Sequence, residues 1–136
     1  MSLSAPPRLG FLYTADLNPR FGTEPGKLRP VAVVQTDLLN RAAHPSTLVC
    51  PLTTRLSAEP SPLRVKVLPK GARLKRPSEI LVDQLRAIDN LRFRALIGPL
   101  SVPVLAELKA KLLAILDFTA EAEDAGLVLR RESRHG

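Results

Sequence analysis

The sequence predicts a mainly β fold of the α+β class, in which a small barrel of short strands is followed by one amphipathic helix. All 13 prolines lie between Pro6 and Pro103. Because proline cannot donate to a strand ladder or sit inside a helix, this distribution predicts short strands and turns over the first hundred residues. Beyond Pro103, apolar residues recur at helical spacing. The length of 136 residues suits one folded domain.

Short apolar segments bounded by turn residues predict six strands before the helix. Their expected ranges are about Phe11–Leu17, Pro30–Thr36, Thr47–Thr54, Leu63–Leu68, Glu79–Val82 and Gln84–Asp89. Six short strands indicate a small barrel.

The segment from Ser101 to Phe118 is predicted to form the C-terminal helix. Ser101 is a suitable N-cap, and Pro103 falls in the first turn, where its missing N–H costs little. Glu107 and Lys111 form an i, i+4 pair outside the apolar stripe. We expect the stripe to pack on the barrel; its members are Leu105, Leu108, Leu112, Ile115 and Leu116.

The charge is strongly positive and unevenly distributed along the chain. The formal net charge is +7. Residues 1–100 hold 15 basic and 7 acidic side chains, whereas residues 101–136 hold 5 and 6. A cationic surface attracts polyanions and releases counterions on binding them, which favours nucleic acid as the partner. The alternative is that the charge serves solubility alone.

Composition also disfavours several kinds of site. Cys50 is the single cysteine, so neither an intrachain disulfide nor a cysteine-based metal cluster can form. His44 and His135 are far apart in the sequence, which argues against a histidine metal site, and we expect no metal and no cofactor. The sequence contains no run of roughly 20 apolar residues and no signal core, so we expect a cytoplasmic protein without a membrane partner.

The long connection between the first two predicted strands, Asn18–Pro30, is the first candidate for a binding site. It concentrates Arg20, Lys27 and Arg29 around the single carboxylate of Glu24. Connections of this length in a compact domain are usually functional or disordered. The composition suits a phosphate-binding loop, although the segment lacks the Gly-Lys-Ser/Thr ending of a P-loop.

Two further features lie at predicted strand ends. Arg29 precedes a proline, which favours extended backbone and places its planar, always charged guanidinium at the rim of the second strand. At the end of the third strand, the hydroxyl residues Thr53 and Thr54 are followed by Arg55. Such hydroxyls can bind a phosphate, and threonine is equally a common strand residue with a purely structural role.

Taken in order, these segments resemble the MazF/PemK toxins, small endoribonucleases of bacterial toxin–antitoxin systems. The matching motifs span most of residues 10–118. They are LYTADLNP at 12–19, GTEPG at 22–26, RPVAVV at 29–34, VCPLTT at 49–54, VDQLRAID at 82–89 and IG at 97–98. The resemblance implies a MazF-like endoribonuclease domain over residues 10–118, preceded by an N-terminal extension (1–9) and followed by a C-terminal tail (119–136).

The resemblance further implies an SH3-like barrel, a homodimer, a MazE-like antitoxin partner, and cleavage of single-stranded RNA at short preferred sequences. The implied reaction needs no metal. In it the ribose 2′-hydroxyl attacks the adjacent phosphorus, leaving a 2′,3′-cyclic phosphate and a 5′-hydroxyl. Cleavage of mRNA by this route would inhibit translation and growth.

Carried over by position, the catalytic arginine and threonine of the family fall on Arg29 and Thr53. Glu24 matches a groove position and could act as the general base or as a structural partner for Arg29 or Lys27. The RNA groove is expected to include six further residues: Arg20, Lys27, Thr54, Arg55, Gln84 and Arg86.

Two other functions remain open from the sequence. One is a DNA gyrase poison of the CcdB type, which is similar in fold and acts by binding alone. The other is a basic SH3-like module that binds RNA without cleaving it. Arg29-Pro30 and the surroundings of Thr53 match the nuclease branch and favour cleavage.

Overall fold

A computed structural model describes residues 3–118; the predicted C-terminal tail, residues 119–136, lies outside the described residues. Within this range helix α1 (Asp37–Arg41) follows the second strand and helix α2 (Val102–Ile115) follows the last. Single 3-10 turns occupy Pro69–Gly71, Val82–Gln84 and Asn90–Arg92. The seven strands are β1 (Phe11–Asp16), β2 (Leu28–Val33), β3 (Ser46–Thr53), β4 (Arg64–Val67), β5 (Ser78–Leu81), β6 (Arg86–Asp89) and β7 (Phe93–Pro99).

All seven strands join one antiparallel sheet in the order β4-β5-β3-β2-β1-β7, with β6 paired to β3. The first half of β3 pairs with β6 and its second half with β5, so β3 is the central strand. The two ends of this order, β4 and β7, do not pair with each other. The predicted mainly β fold with a C-terminal helix is confirmed, and the sheet is barrel-like without being closed.

Alternate residues of the central strands supply two apolar cores, because successive side chains in a strand point to opposite faces. Leu12, Ala32 and Cys50 belong to the core that also contains Leu108 of α2. Their neighbours on the same strands contribute to the other core, whose members are Tyr13, Ala15, Leu17, Val31, Val33, Val49, Ile88 and Phe93. Both faces of the β1-β2-β3 segment are therefore covered, and its strand ends are held in a fixed register.

Helix α2 packs through three of the five residues of the predicted apolar stripe. Leu108 is fully buried and Leu105 and Leu112 pack against the first core, whereas the stripe's last two residues are exposed. The Ser101 hydroxyl accepts the Val104 N–H at 3.4 Å, which confirms the predicted N-cap. No helix in residues 3–118 is long and apolar enough to span a membrane.

Three local expectations differ from the structure. Strand β7 was not predicted, because its alternation is interrupted and it ends in Gly98-Pro99. Helix α1 was also missed, since five residues are too few to show helical periodicity. The loop between the first two strands covers residues 17–27 only, because Leu28, Arg29 and Pro30 already belong to β2.

Candidate active site

The start of β2 and the end of β3 lie side by side and bring the two predicted catalytic residues together. The pairs Val31↔Pro51 and Val33↔Val49 define the antiparallel register. Continued by two residues, this register places Arg29 opposite Thr53. Directly opposite residues in a sheet project to the same face, so the guanidinium and the hydroxyl share one face.

The Arg29 side chain is fixed by the protein backbone. Its Nε donates to the Gly26 carbonyl at 2.8 Å, and Nη1 donates to the Leu52 carbonyl at 3.1 Å. A guanidinium carries five N–H donors, so three remain for a ligand. The Arg29 guanidinium is therefore held in place by the protein itself, without a bound ligand.

The surroundings of Arg29 are electropositive. Burial lowers the pKa of Arg29 below its ordinary value, and the positive charges of Arg20 and Arg55 lower it further. At neutral pH Arg29 still carries its charge, because arginine titrates far above that range. Arg20 and Arg55 therefore lie near Arg29, and an anion bound among the three cations would relieve their mutual repulsion.

Residues of the loop from 17 to 27 pack closely against one another and form one wall of this site. A side chain on Gly26 would place its Cβ 2.8 Å from the Arg20 Cβ and 3.2 Å from the Asn18 Oδ1, so glycine is needed there. The Asn18 Oδ1 accepts the Lys27 N–H at 2.8 Å, and Arg92 donates to the backbone carbonyls of Asp16 and Asn18. The Lys27 side chain is exposed at the end of this wall.

Thr53 combines with Arg55 in a tight turn. The Arg55 N–H donates to the Thr53 Oγ1 at 3.1 Å, so the hydroxyl oxygen is already an acceptor. The hydroxyl hydrogen remains available to donate to a phosphate oxygen. The turn also brings Arg55 back toward Arg29, consistent with the effect of its charge on the Arg29 pKa.

Glu24 faces Arg86 rather than one of the loop cations. The Glu24 Oε1 and Arg86 Nη1 are 3.9 Å apart, which is an ion pair without a hydrogen bond. The Arg86 Nη1 is buried and has no hydrogen-bond partner among the described residues. The strand β6 positions this guanidinium, since Arg86 pairs with Val49 of β3.

Gln84 lines a cleft of about 320 Å³ next to the loop from 17 to 27. Thr23, the neighbour of Glu24, forms one side, and Ser57, Arg64 and Asp83 contribute polar groups to the cleft. Gln84 is half-buried at the end of the 3-10 turn before β6. An extended ligand bound at Glu24 would therefore pass within reach of Gln84.

Thr54 does not join this group. It is exposed and lines a separate cavity of about 560 Å³ with Pro30, Arg73, Lys75 and Arg76. The cations of this cavity were not singled out from the sequence. The sequence signal for this cationic cavity was the presence of four basic residues within positions 70–76.

A buried ion-pair network behind the Thr53 turn was also missed. Glu79, which is opposite Thr53 on β5, accepts the Ser57 N–H at 2.9 Å, the Ser57 hydroxyl at 3.0 Å and the Arg64 Nη1 at 2.9 Å. The same Arg64 Nη1 donates to the Arg55 carbonyl at 3.1 Å. The network therefore links Arg55 and Ser57, which follow β3, to Arg64 of β4 and Glu79 of β5.

Other reactive groups lie away from this face. Burial, with a smaller effect from Asp83, raises the pKa of the Cys50 thiol to about 12, so this cysteine is not a nucleophile at neutral pH. Residues 3–118 contain no group of three or more His, Cys, Asp or Glu side chains placed to hold a metal ion.

The comparison with protein families identifies the family. A model of the PemK-like, MazF-like toxins of type II toxin–antitoxin systems matches residues 8–116. This chain belongs to that family. The match confirms the MazF/PemK resemblance that the sequence motifs indicated.

Individual MazF/PemK relatives agree in sequence and in fold. Endoribonuclease EndoA of Bacillus subtilis strain 168 is 35% identical over 112 residues, covering 80% of this chain and 96% of that protein. The crystal structure of MazF from Deinococcus radiodurans matches with a TM-score of 0.70 and 28% identity, covering 84% of this chain and 99% of the other. A MazE–MazF structure from the same organism matches with a TM-score of 0.66 and 27% identity, covering 83% and 97%.

Proposed function

We propose that this chain, an endoribonuclease of the MazF/PemK type, cuts single-stranded RNA by transesterification without a metal ion. The observation that carries the proposal is the fixed guanidinium of Arg29, with three open donors beside Arg20, Arg55 and Thr53. The B. subtilis relative is itself named an endoribonuclease. The scissile phosphate would bind among these four residues.

In the proposed reaction the ribose 2′-oxygen bonds to the neighbouring phosphorus and the bond from phosphorus to the 5′-oxygen breaks. Negative charge grows on the non-bridging oxygens as the phosphorane forms. Arg29 stabilises that charge more than it stabilises the bound substrate, because its donors are already oriented and partly removed from water. The products are a 2′,3′-cyclic phosphate and a 5′-hydroxyl.

Thr53 and Arg55 are proposed to hold the phosphate in line for attack. The Thr53 hydroxyl hydrogen is available as a donor, because its oxygen already accepts the Arg55 N–H. A threonine hydroxyl is a poor base at neutral pH, so its contribution is positioning. Arg20 adds positive charge on the other side of Arg29.

Glu24 is proposed to accept the proton of the 2′-hydroxyl. It is the only carboxylate in the loop from 17 to 27, and its 3.9 Å separation from Arg86 leaves its oxygens free to accept another hydrogen bond. Water would protonate the leaving 5′-oxygen, since arginine is an inefficient acid. The variant Glu24→Gln should slow single-turnover cleavage at saturating RNA, and a wild-type rate would leave Glu24 as an RNA-binding residue only.

As the toxin of its pair, the protein would cut mRNA in the cytoplasm and stop translation and growth. A cognate MazE-like antitoxin would inhibit it by laying an acidic segment over the cationic face, as the polyanionic substrate does. The D. radiodurans relative is known in a MazE–MazF structure. Removing the acidic segment of the antitoxin should restore cleavage, and full inhibition without that segment would contradict this mode of binding.

A homodimer is proposed from apolar side chains that this single chain leaves exposed. They lie on the edge strand β7 and after the end of α2, and include Leu96, Leu116 and Phe118. Light scattering at micromolar concentration should return twice the 14.8 kDa mass of the chain. A mass of one chain would contradict the dimer.

The test of the proposed function is digestion of a long unstructured RNA in EDTA. New 5′ ends would be labelled by polynucleotide kinase with and without prior phosphatase, since a 5′-hydroxyl is labelled directly. We expect discrete cuts with directly labelled ends. Intact RNA would contradict the proposal, and inhibition of gyrase supercoiling in a parallel assay would then indicate a CcdB-type poison.

A further inference from the structure

The connection between β4 and β5 carries a concentrated positive charge that has no place in the proposed reaction. Lys70, Arg73, Lys75 and Arg76 fall within seven residues of one another. The last three line the 560 Å³ cavity introduced above with Thr54. We call this cavity the β4–β5 pocket; its remaining lining residues are Thr14, Leu28, Pro30, Leu74, Ser78 and Ile97.

The pocket has an apolar wall and a cationic rim. Leu28, Leu74 and Ile97 provide the apolar wall, and no acidic residue lines the pocket. Among the described residues, Arg73, Lys75 and Arg76 make no salt bridge. An apolar wall beside cations that make no salt bridge suits a ligand that has both an apolar part and a negative charge.

Arg73 lines the pocket and its side chain packs on a strand. Its backbone has a φ of +54°, and its aliphatic part lies on Gly98 of β7, where a Cβ would approach the Arg73 Cδ to 3.3 Å. Gly98 itself has a φ of +152°. The absence of a side chain at Gly98 therefore lets the aliphatic part of Arg73 pack against β7.

The pocket adjoins the candidate active site through the chain itself. Pro30 and Thr54, which line the pocket, directly follow Arg29 and Thr53. Neighbouring side chains in a strand point to opposite faces, so Leu28 and Pro30 of β2, which line the pocket, lie on the face opposite to that of Arg29. A single strand of RNA that crosses the ends of β2 and β3 would meet the active site first and the pocket next.

We propose that the β4–β5 pocket binds a nucleotide of the RNA substrate outside the cleaved linkage, which rests on the proposed function. The base would contact the wall formed by Leu28, Leu74 and Ile97. The phosphates on either side would contact Lys75 and Arg76. Base contact with an apolar wall tolerates every sequence, whereas phosphate contacts supply salt-dependent affinity.

The test compares two double variants of equal charge. Lys75→Gln/Arg76→Gln removes two cations of the pocket, and Arg41→Gln/Lys109→Gln removes two exposed cations from α1 and α2, away from both sites. Affinity is measured over a range of salt with a 2′-O-methyl RNA, which cannot undergo 2′-hydroxyl attack. The same RNA is then shortened from each end in turn.

We expect the pocket variant to weaken binding and to flatten the plot of log Kd against log salt by roughly 1.4, at about 0.7 for each lost phosphate contact on a single strand. The control variant should keep the wild-type slope. This difference in slope between the two variants should disappear when the RNA is shortened until it no longer reaches the pocket. Shortening from only one of the two RNA ends should have this effect. On cleavable RNA the pocket variant should raise KM and keep kcat, because the lost contacts are made equally in the ground and transition states.

Equal slopes for the two variants, or a difference that persists on the shortest RNA, would overturn the proposal. A variant that weakens binding of an acidic antitoxin segment and leaves RNA binding unchanged would also overturn it, in favour of a protein partner. Because binding is measured on uncleavable RNA, these outcomes are distinct from failure of the proposed function, in which wild-type protein leaves cleavable RNA intact.

Discussion

Arg29, the residue proposed to be catalytic, is held in place by hydrogen bonds to the protein backbone. Two carbonyl groups, from Gly26 and Leu52, each accept one of its N–H groups. In the proposed reaction the side chain would therefore lose little conformational freedom on binding a phosphate, and its remaining donors would need no reorientation as charge develops. Nearby positive charge from Arg20 and Arg55 increases the benefit of binding an anion at this point.

The role of Thr53 can be separated from its contribution to the strand by two substitutions. Thr53→Val removes the hydroxyl and keeps the β-branched shape, whereas Thr53→Ser keeps the hydroxyl. A hydrogen bond to a charged group contributes about 1.5–3 kcal/mol. We expect Thr53→Val to slow cleavage by roughly 10- to 100-fold and Thr53→Ser to retain most of the wild-type rate, measured in single turnover.

Equal losses in Thr53→Val and Thr53→Ser would contradict a role for the hydroxyl. Urea unfolding of both variants serves as the control, because a change in folding stability would explain a rate loss without any contact to the phosphate.

Arg29 and Thr53 could be singled out as candidates from the sequence because each lies in a local motif at the end of a strand. The partners of other residues depend on pairing between distant segments. Nothing in the sequence indicated that Glu24 would face Arg86, or that Arg64 would link Glu79 to the Arg55 carbonyl. Those contacts require the register of β3 with β5 and β6, which hydrophobic pattern alone does not specify.

Among the structural elements, the segment between β3 and β4 owes its position to Glu79. Burial on its own would raise the pKa of Glu79, but the hydrogen bonds from Ser57 and the contact with Arg64 outweigh burial and lower the pKa. The side chain is 5% exposed, so its charge is well shielded from water. Arg64 extends this network to the backbone of Arg55 and so to the turn at Thr53.

A lowered pKa in the folded state means that the Glu79 contribution to stability is present above the pKa of the unfolded chain, near 4.3. This contribution is lost as the pH falls through the lower pKa of the folded state. Glu79→Gln should lower the free energy of unfolding at pH 7 by about 1–3 kcal/mol and should weaken the pH dependence below about pH 4. Urea unfolding between pH 2.5 and 7 measures both effects.

The exposed residue Glu59 on the same segment provides the matched control for Glu79. Glu59→Gln should leave stability within about 0.5 kcal/mol of the wild type. A Glu79→Gln variant as stable as the Glu59→Gln control, with an unchanged acid transition, would contradict the role assigned to the network.

Which elements could be predicted depended on how each is stabilised. Helix α2 buries an apolar stripe and has a serine cap, and both are visible in the sequence. Strand β7 is a sheet edge stabilised by pairing with β1, and its exposed Ala95 and Leu96 break the expected alternation. Helix α1 depends on the Thr36 hydroxyl, which accepts the Leu38 N–H at 3.3 Å, rather than on periodicity.

Over the whole molecule, the positive charge collects in the first hundred residues and is left largely unneutralised. The described residues form four salt bridges, and two of these use carboxylates of the strand ends and loops near the candidate site, Asp16 and Glu24. Aromatic residues make up only 4% of the chain, so stacking can contribute little to RNA binding. Phosphate contacts should therefore dominate affinity.

Wild-type binding of single-stranded RNA should accordingly weaken steeply with salt. Contacts from Arg20, Arg29 and Arg55 alone predict a slope of log affinity against log salt of roughly −2, at about −0.7 for each phosphate. Fluorescence anisotropy with uncleavable RNA measures this slope. A flat response would contradict a phosphate-dominated interface.

The central claim, that Arg29 stabilises the transition state of RNA cleavage, is tested most directly by the single-turnover rate of Arg29→Ala at saturating RNA in EDTA. Arg41→Ala, which removes an exposed arginine of α1, is the matched control. By analogy with removal of one oxyanion donor, we predict a loss of about 10²–10³-fold for Arg29→Ala and a wild-type rate for Arg41→Ala. An Arg29→Ala protein that binds RNA and cuts it at the wild-type rate would contradict the account.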